Sequence, residues 1–193
     1  MEDKKSVEWR DRFETVWDPE GQGKYRLGSC GLRLIDTFLD VAKPRGVVND
    51  YGSGTGRAAV KMVKAGLRVN CVDIATNAME DEARALIGNG ITFTHASLWD
   101  LPKGFPRAEY GFCADVLMTI PTERLELTLV NIRLTCETLF CEMYPWADVR
   151  CGYDLTATKG DADFWKNELS QWWLMVTQIP SQEDHRRCIF HCY

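Results

Sequence analysis

The sequence predicts an α/β fold: an open, mostly parallel sheet with helices packed on both faces. Three observations carry that reading. Short apolar runs of strand length alternate with helix-patterned stretches through the first three quarters of the chain. The apolar pair Val47-Val48 runs through Asn49-Asp50-Tyr51 into glycines at 52, 54 and 56, and a helix-like segment follows. Strand, glycine turn and helix in that order bring main chain close to a ligand at a sheet's edge. The chain then closes on two strand-like segments, 171–178 and 186–193.

The 193 residues suit one domain, 1–193, with its own core, and 45% hydrophobic with 26% charged residues is ordinary for a globular chain. A net charge of −5 and no long Lys/Arg block disfavour a nucleic-acid partner. No apolar run reaches bilayer length, and the charged start Met1-Glu2-Asp3-Lys4-Lys5 has no apolar segment behind it, so a cytoplasmic protein without a membrane partner is expected. The 8 cysteines are scattered with no C-x-x-C pair, which suits buried free thiols. His185, Cys188, His191 and Cys192 crowd the C-terminus, but strand alternation would put Cys188 and Cys192 on one face and His191 on the other, so no metal site is expected. The sequence does not determine an oligomeric state.

Taken in order, Trp9, Phe13 and Trp17 recur every fourth residue, a helical spacing. They mark segment 1–23 as an N-terminal helical element, packed on the domain or lying over its site as a lid. Leu32, Leu34, Ile35, Phe38 and Leu39 share one face of a second helix over 30–41, with Ser29 as its cap and Pro44 and Gly46 beyond its end. After the glycine turn, a helix over 56–64 stops at Gly66, and 67–73 reads as the second strand, ending in Asp73. A helix over 76–87 ends at Gly88-Asn89-Gly90. Residues 91–95 form a short third strand and 108–115 a fourth, followed by a helix that Pro121 starts. A fifth strand over 136–143 leads to the loop Tyr144–Asp148, an irregular stretch over 152–158, and a helix capped by Asp161.

The glycines read G-x-G-x-G, with Arg57 where a dinucleotide fingerprint would place its third glycine, which disfavours a nicotinamide site. Asp73 follows the last glycine by seventeen positions, close to the roughly 20-residue offset at which an acid reaches a ribose hydroxyl. The run Asp50-Tyr51-Gly52-Ser53-Gly54-Thr55-Gly56 resembles motif I of the class I S-adenosylmethionine-dependent methyltransferases. Asp115-Val116-Leu117-Met118-Thr119-Ile120-Pro121 resembles their Asp-Val-Leu-x-x-Ile-Pro segment, with Met118-Thr119 where Glu-His is frequent. More narrowly, the chain resembles the compact methyltransferases of phage genomes, which lack an added recognition domain.

That resemblance implies the Rossmann-like class I methyltransferase fold, a seven-stranded, mostly parallel sheet with the last strand antiparallel. It implies S-adenosyl-L-methionine as cofactor and S-adenosyl-L-homocysteine as product. Gly52, Ser53, Gly54 and Gly56 would let main chain approach the methionine part, with Asp50 near its ammonium group. Asp73 would take the ribose hydroxyls, Ile74 and Leu98 would sandwich the adenine, and Ser97 stands where the family commonly has an acid. Asp115 and Val116, at the end of strand 4, would also meet the cofactor, and Tyr25 or Arg26 could close over its methionine end. Methyl transfer is an in-line displacement that needs positioning more than a nucleophile. Where the acceptor must lose a proton, Asp115, Glu142 and Tyr144 are the candidate catalytic residues, with His95 and Asp154 also at that end of the sheet. The chain lacks both the Asp/Asn-Pro-Pro-Tyr/Phe segment of amino-methylating nucleic-acid enzymes and a Pro-Cys pair. A small-molecule acceptor, held beyond strands 4 and 5, is therefore the first expectation. The alternatives are a protein or nucleic-acid acceptor, and a cofactor-binding protein that does not transfer methyl groups or cleaves the cofactor instead.

Overall fold

A computed structural model describes residues 3–18, 31–181 and 187–193. Its main sheet is built from β1 (Val47–Tyr51), β2 (Arg68–Asp73), β3 (Ile91–His95), β4 (Ala108–Ala114), β5 (Cys136–Met143), β8 (Val176–Ile179) and β9 (Cys188–Cys192). The two intervening strands, β6 (Val149–Arg150) and β7 (Tyr153–Asp154), form a separate hairpin. The order across the sheet is β3-β2-β1-β4-β5-β9-β8. The first five strands are parallel, and β9 runs antiparallel to both of its neighbours, as expected.

The helices are α1 (Lys4–Trp17), α2 (Ile35–Val41), α3 (Arg57–Lys64), α4 (Asp81–Arg84), α5 (Thr122–Thr135) and α6 (Ala162–Ser170). Two apolar cores lie on opposite faces of the sheet, as a helix-covered parallel sheet requires. On one side Phe112 and Phe140 meet Phe38 of α2 and Met62 of α3. On the other, Cys113, Leu139, Cys141 and Phe190 meet Leu129 of α5 and Trp165 of α6. Adjacent strand residues alternate between the cores, so Cys188 and Cys192 share a face with Phe190 while Ile189 belongs to the other core. Burial pushes the Cys136 thiol up to about 12 and raises those of Cys71, Cys113 and Cys141, so these thiols stay protonated. No metal-holding group of His, Cys, Asp or Glu occurs among the described residues, and no described helix is long and apolar enough to cross a membrane.

Polar side chains fix the register. Asn49, Asn70 and Thr92 sit opposite one another on β1, β2 and β3. Asn70 donates to Asn49 and Thr92 donates to Asn70, each at 2.9 Å. Asn49 also donates at 2.9 Å to the carbonyls of Pro106 and Thr135. Asn49 is fully buried, so its amide requires such partners.

Three predicted elements differ in extent. The helix expected over 76–87 is reduced to the single turn α4. Its first part is engaged elsewhere: Arg84 bonds the carbonyls of Thr76 and Met79, and the N–H of Glu80 donates to Thr55. The helix expected over 30–41 begins at Ile35, after a turn that opens with Gly31 at φ +71°. The segment 171–178 joins the sheet only from Val176, because the N–H groups of Trp172 and Trp173 close the end of α6 on Leu169. The expected Asp161 cap is present, accepting from the N–H of Phe164 at 2.9 Å. The cap at Ser29 lies outside the described residues.

Candidate active site

The strand order reverses between β1 and β4, and ligands of open α/β sheets bind in the crevice beyond the strand ends at such a point. Here the loops after the five parallel strands enclose a cavity of about 250 Å³. The β1 loop contributes Gly52 and Gly54, the end of β2 Asp73 and Ile74, and the β3 loop Ser97, Leu98 and Trp99. Asp115, Val116 and Thr119 follow β4, and Tyr144, Trp146 and Asp148 follow β5. Helix α1 closes the cavity with Trp9, Phe13 and Trp17.

The glycine loop folds onto the end of β2. The N–H groups of Gly52 and Ser53 donate to the carbonyl of Val72 at 2.8 and 3.1 Å. The Asp73 carboxylate accepts from Gly54 N at 2.7 Å and from Ala75 N at 2.8 Å. Burial raises its carboxyl above the ordinary value, and these N–H bonds offset only part of that. Gly52 has φ +74°, and a Cβ there would stand 2.4 Å from Cγ2 of Val116. The loop is therefore glycine because β1 and β4 meet closely beneath it. Asp50 lies under the loop, 2% exposed, and its Oδ2 has no hydrogen-bond partner among the described residues. Burial first, and Asp73 second, push its carboxyl up to about 7.

The far end of the cavity is charged. Arg33, just before α2, donates to Asp115 at 2.5 Å and to Glu142 at 2.9 Å. Arg187, just before β9, donates to Asp115 at 2.9 Å and lies 3.1 Å from Glu142. Two guanidinium groups thus bridge two carboxylates, with Asp115 held at φ +60°. Glu142 is almost completely buried behind them, and burial, with Asp115 close by, pushes its carboxyl up to about 7 against the pull of both arginines. Tyr144 donates to Asp148 at 3.2 Å and stacks on Trp146 with ring centroids 4.9 Å apart. Burial and the neighbouring carboxylates raise the Tyr144 phenol well above its ordinary range, so it stays protonated.

Helix α1 is tied down across the β3 loop. Ser6 shares a hydrogen bond with the Ser97 hydroxyl at 3.0 Å and accepts from the Trp99 indole at 2.9 Å. Asp3 pairs with Arg124 at 3.1 Å, and Glu14 accepts from the Thr76 hydroxyl at 2.7 Å.

Of the residues singled out from sequence, Gly52, Gly54, Asp73, Ile74, Ser97, Leu98, Asp115, Val116 and Tyr144 line this cavity. Asp50, Ser53 and Gly56 lie beneath or behind the glycine loop, where a Cβ on Gly56 would stand 2.5 Å from that of Ala83. Glu142 stands behind the arginines. His95 bonds the Ile74 carbonyl at 2.9 Å, and Asp154 caps Thr156; neither lines the cavity. Tyr25, Arg26 and His185 lie outside the described residues. Sequence reading missed Arg33, Arg187 and Trp146. Their signal is topological: strand ends gather side chains more than 150 positions apart, and no local spacing announces that.

No protein-family model matches the sequence, and no curated protein matches it. Solved structures do match its fold. A Burkholderia thailandensis 1,6-didemethyltoxoflavin-N1-methyltransferase, with 1,6-didemethyltoxoflavin and S-adenosylhomocysteine bound, aligns with TM-score 0.74 at 15% identity, over 97% of this chain and 87% of that one. A Synechocystis magnesium protoporphyrin IX methyltransferase with bound S-adenosylhomocysteine aligns with TM-score 0.69 at 17% identity, over 96% and 97%. A glycopeptide N-methyltransferase complexed with sinefungin aligns with TM-score 0.68 at 12% identity, over 86% and 87%. Strand order, the antiparallel β9 and these alignments agree: the chain has the class I S-adenosylmethionine-dependent methyltransferase fold.

Proposed function

We propose that the chain is an S-adenosylmethionine-dependent methyltransferase acting on a small-molecule acceptor. The observation that carries this is the gathering of the glycine loop, Asp73 and the charged ends of β4 and β5 around one cavity roofed by α1. The roof favours an acceptor small enough to be enclosed. The solved neighbours named for 1,6-didemethyltoxoflavin and for magnesium protoporphyrin IX support the same class.

The residues present fit the cofactor. Gly52 and Gly54 put no side chain between main chain and cavity. Each Asp73 oxygen accepts one N–H and keeps a lone pair for a ribose hydroxyl. The partnerless Oδ2 of Asp50 places a titratable acid under the loop, suited to an ammonium group nearby. Ile74 and Leu98 offer apolar surface for an adenine, with Ser97 between the strand end and α1. When bound, the cofactor supplies a methyl group already activated on a sulfonium. The protein's part is to orient the acceptor and exclude water. Trp9, Phe13 and Trp17 do the excluding. Asp115 and Tyr144 border the acceptor side; where the acceptor must lose a proton, Asp115 is the candidate to receive it, and Tyr144 would orient the acceptor as a neutral phenol. Glu142 holds Arg33 and Arg187 in place.

Calorimetric titration with S-adenosylmethionine and S-adenosylhomocysteine tests the reading, with Asp73→Ala as control. Micromolar binding that the variant loses is expected. Absence of binding to either compound sinks the proposal. Transfer of labelled methyl groups to a small-molecule panel then tests catalysis.

A further inference from the structure

The acceptor half of the cavity carries an arginine whose bonds to the described residues run through one nitrogen. Arg187 reaches Asp115 and Glu142 through Nη1 alone. Its Nε and Nη2 have no hydrogen-bond partner among the described residues, and its side chain, 14% exposed, lines the cavity. The carboxylates hold the guanidinium in a fixed plane, so its remaining edge is a pre-organised fork. Such an edge matches a carboxylate with two parallel N–H···O bonds.

Aromatic side chains surround that guanidinium. Tyr144 and Trp146 are stacked at an interplanar angle of 21°, and the Arg187 guanidinium lies 5.5 and 5.3 Å from their ring centroids. Trp9 and Phe13 of α1 supply aromatic surface to the same cavity. Aromatic surface next to a cationic fork selects a flat ring with an anionic substituent. Charge points the same way. Arg33, Arg150 and Arg187 all line the cavity, and a cationic acceptor would meet three guanidinium groups. Asp115 and Asp148 are already matched by Arg33, Arg187 and Arg150, which leaves no unpaired carboxylate among the described residues there to attract a cation.

We propose that the acceptor is a planar aromatic or heteroaromatic carboxylic acid, its ring among the aromatic side chains that line the cavity, Trp146 included, and its carboxylate on the Nε–Nη2 edge of Arg187. This rests on the methyltransferase reading above and narrows its acceptor class.

The test is calorimetric titration of the full chain, saturated with S-adenosylhomocysteine, using benzoate, 2-naphthoate and quinoline-2-carboxylate beside the carboxamides of the same rings. At least one carboxylate is expected to bind about tenfold or more tighter than its carboxamide, the difference between a charge-assisted pair and a neutral one. Arg187→Gln should bring that ratio close to one. Trp146→Ala should weaken acid and amide alike and leave their ratio standing. The wild-type comparison does not depend on either variant folding. Carboxamides binding as well as carboxylates, no binding by any of the six compounds, or a ratio that survives Arg187→Gln would each overturn the inference. The S-adenosylhomocysteine titration is read first; its failure on the wild-type chain overturns the methyltransferase reading and this inference with it, whereas its success with a failed acid panel overturns the acceptor class alone.

Discussion

The main-chain N–H of Gly54 donates to Oδ2 of Asp73 at 2.7 Å, so the acid ending β2 holds the glycine loop that follows β1. One carboxylate both shapes the loop and faces the cavity. Asp73→Ala should therefore lose more than ligand affinity. It orphans the N–H groups of Gly54 and Ala75, at about 1–3 kcal/mol for each buried donor left unpaired. Urea unfolding should show that loss without ligand, and titration should show weakened S-adenosylhomocysteine binding in the fraction that stays folded. Unchanged stability would mean that the loop holds its shape without Asp73.

Asp50 sets a pH dependence. Burial and Asp73 push its carboxyl up to about 7, from an ordinary value of 3.8. Between those values the folded chain retains a proton that the unfolded chain has released. This contribution to stability is complete below about pH 4, falls as pH rises to about 7, and is flat beyond, with a slope of at most about 1.4 kcal/mol per pH unit. Asp50→Asn keeps the shape and removes the titration. Denaturant midpoints at pH 5 and pH 8 should lie closer together in the variant, and at pH 8 the variant should be the more stable protein. Glu142, also raised to about 7, leaves a residual slope of the same sign in both. Identical pH dependence in variant and wild type would show that Asp50 is ionised when folded.

Gly52 is required by two separable effects. Any side chain there takes on φ +74°, and a Cβ would stand 2.4 Å from Val116. Gly52→Ala should cost about 1–2 kcal/mol for the left-handed backbone and about 1–3 kcal/mol more for the overlap. Adding Val116→Ala should relieve the overlap and not the backbone strain. A double variant more stable in guanidinium than the sum of the two single changes is the expected result; strict additivity would place the Gly52 requirement entirely in its backbone.

The sheet was legible because its signals are local. Val47-Val48 with the alternating glycines, Asp73 at the end of a strand, and the Asp161 cap each appear within a few residues, and each is where the spacing put it. The α4 region was not legible. Its helical pattern is overridden by bonds from Arg84 and Glu80 to groups that only tertiary structure brings near. The charged end of the cavity was legible in part. Asp115, Glu142 and Tyr144 follow from strand ends, but their partners Arg33 and Arg187 come from opposite ends of the chain. Asn49 shows the same limit in the core: a polar residue inside an apolar strand is explained only by the carbonyls of Pro106 and Thr135 beside it.

Helix α1 supplies a final test, because one buried hydroxyl joins it to the β3 loop. Ser6 is bonded to both the Ser97 hydroxyl and the Trp99 indole. Ser6→Ala leaves Ser97 without that partner and leaves Trp99, among the described residues, with Asp3 alone, at 3.3 Å. Trp9, Val16 and Trp17 remain buried, so the helix should stay docked but open more often. A loss of about 1–2 kcal/mol would speed exchange of the α1 amides by roughly five- to thirtyfold, with the amides of β4 and β5 unaffected. Exchange that rises equally throughout the molecule would show instead that α1 opens only with the whole fold. Ser97 lines the cavity, so Ser6→Ala also frees its hydroxyl toward a ligand. S-adenosylhomocysteine binding that is unchanged or tighter in Ser6→Ala, and weaker in Ser97→Ala, would separate the part Ser97 plays in holding α1 from its part in holding the cofactor.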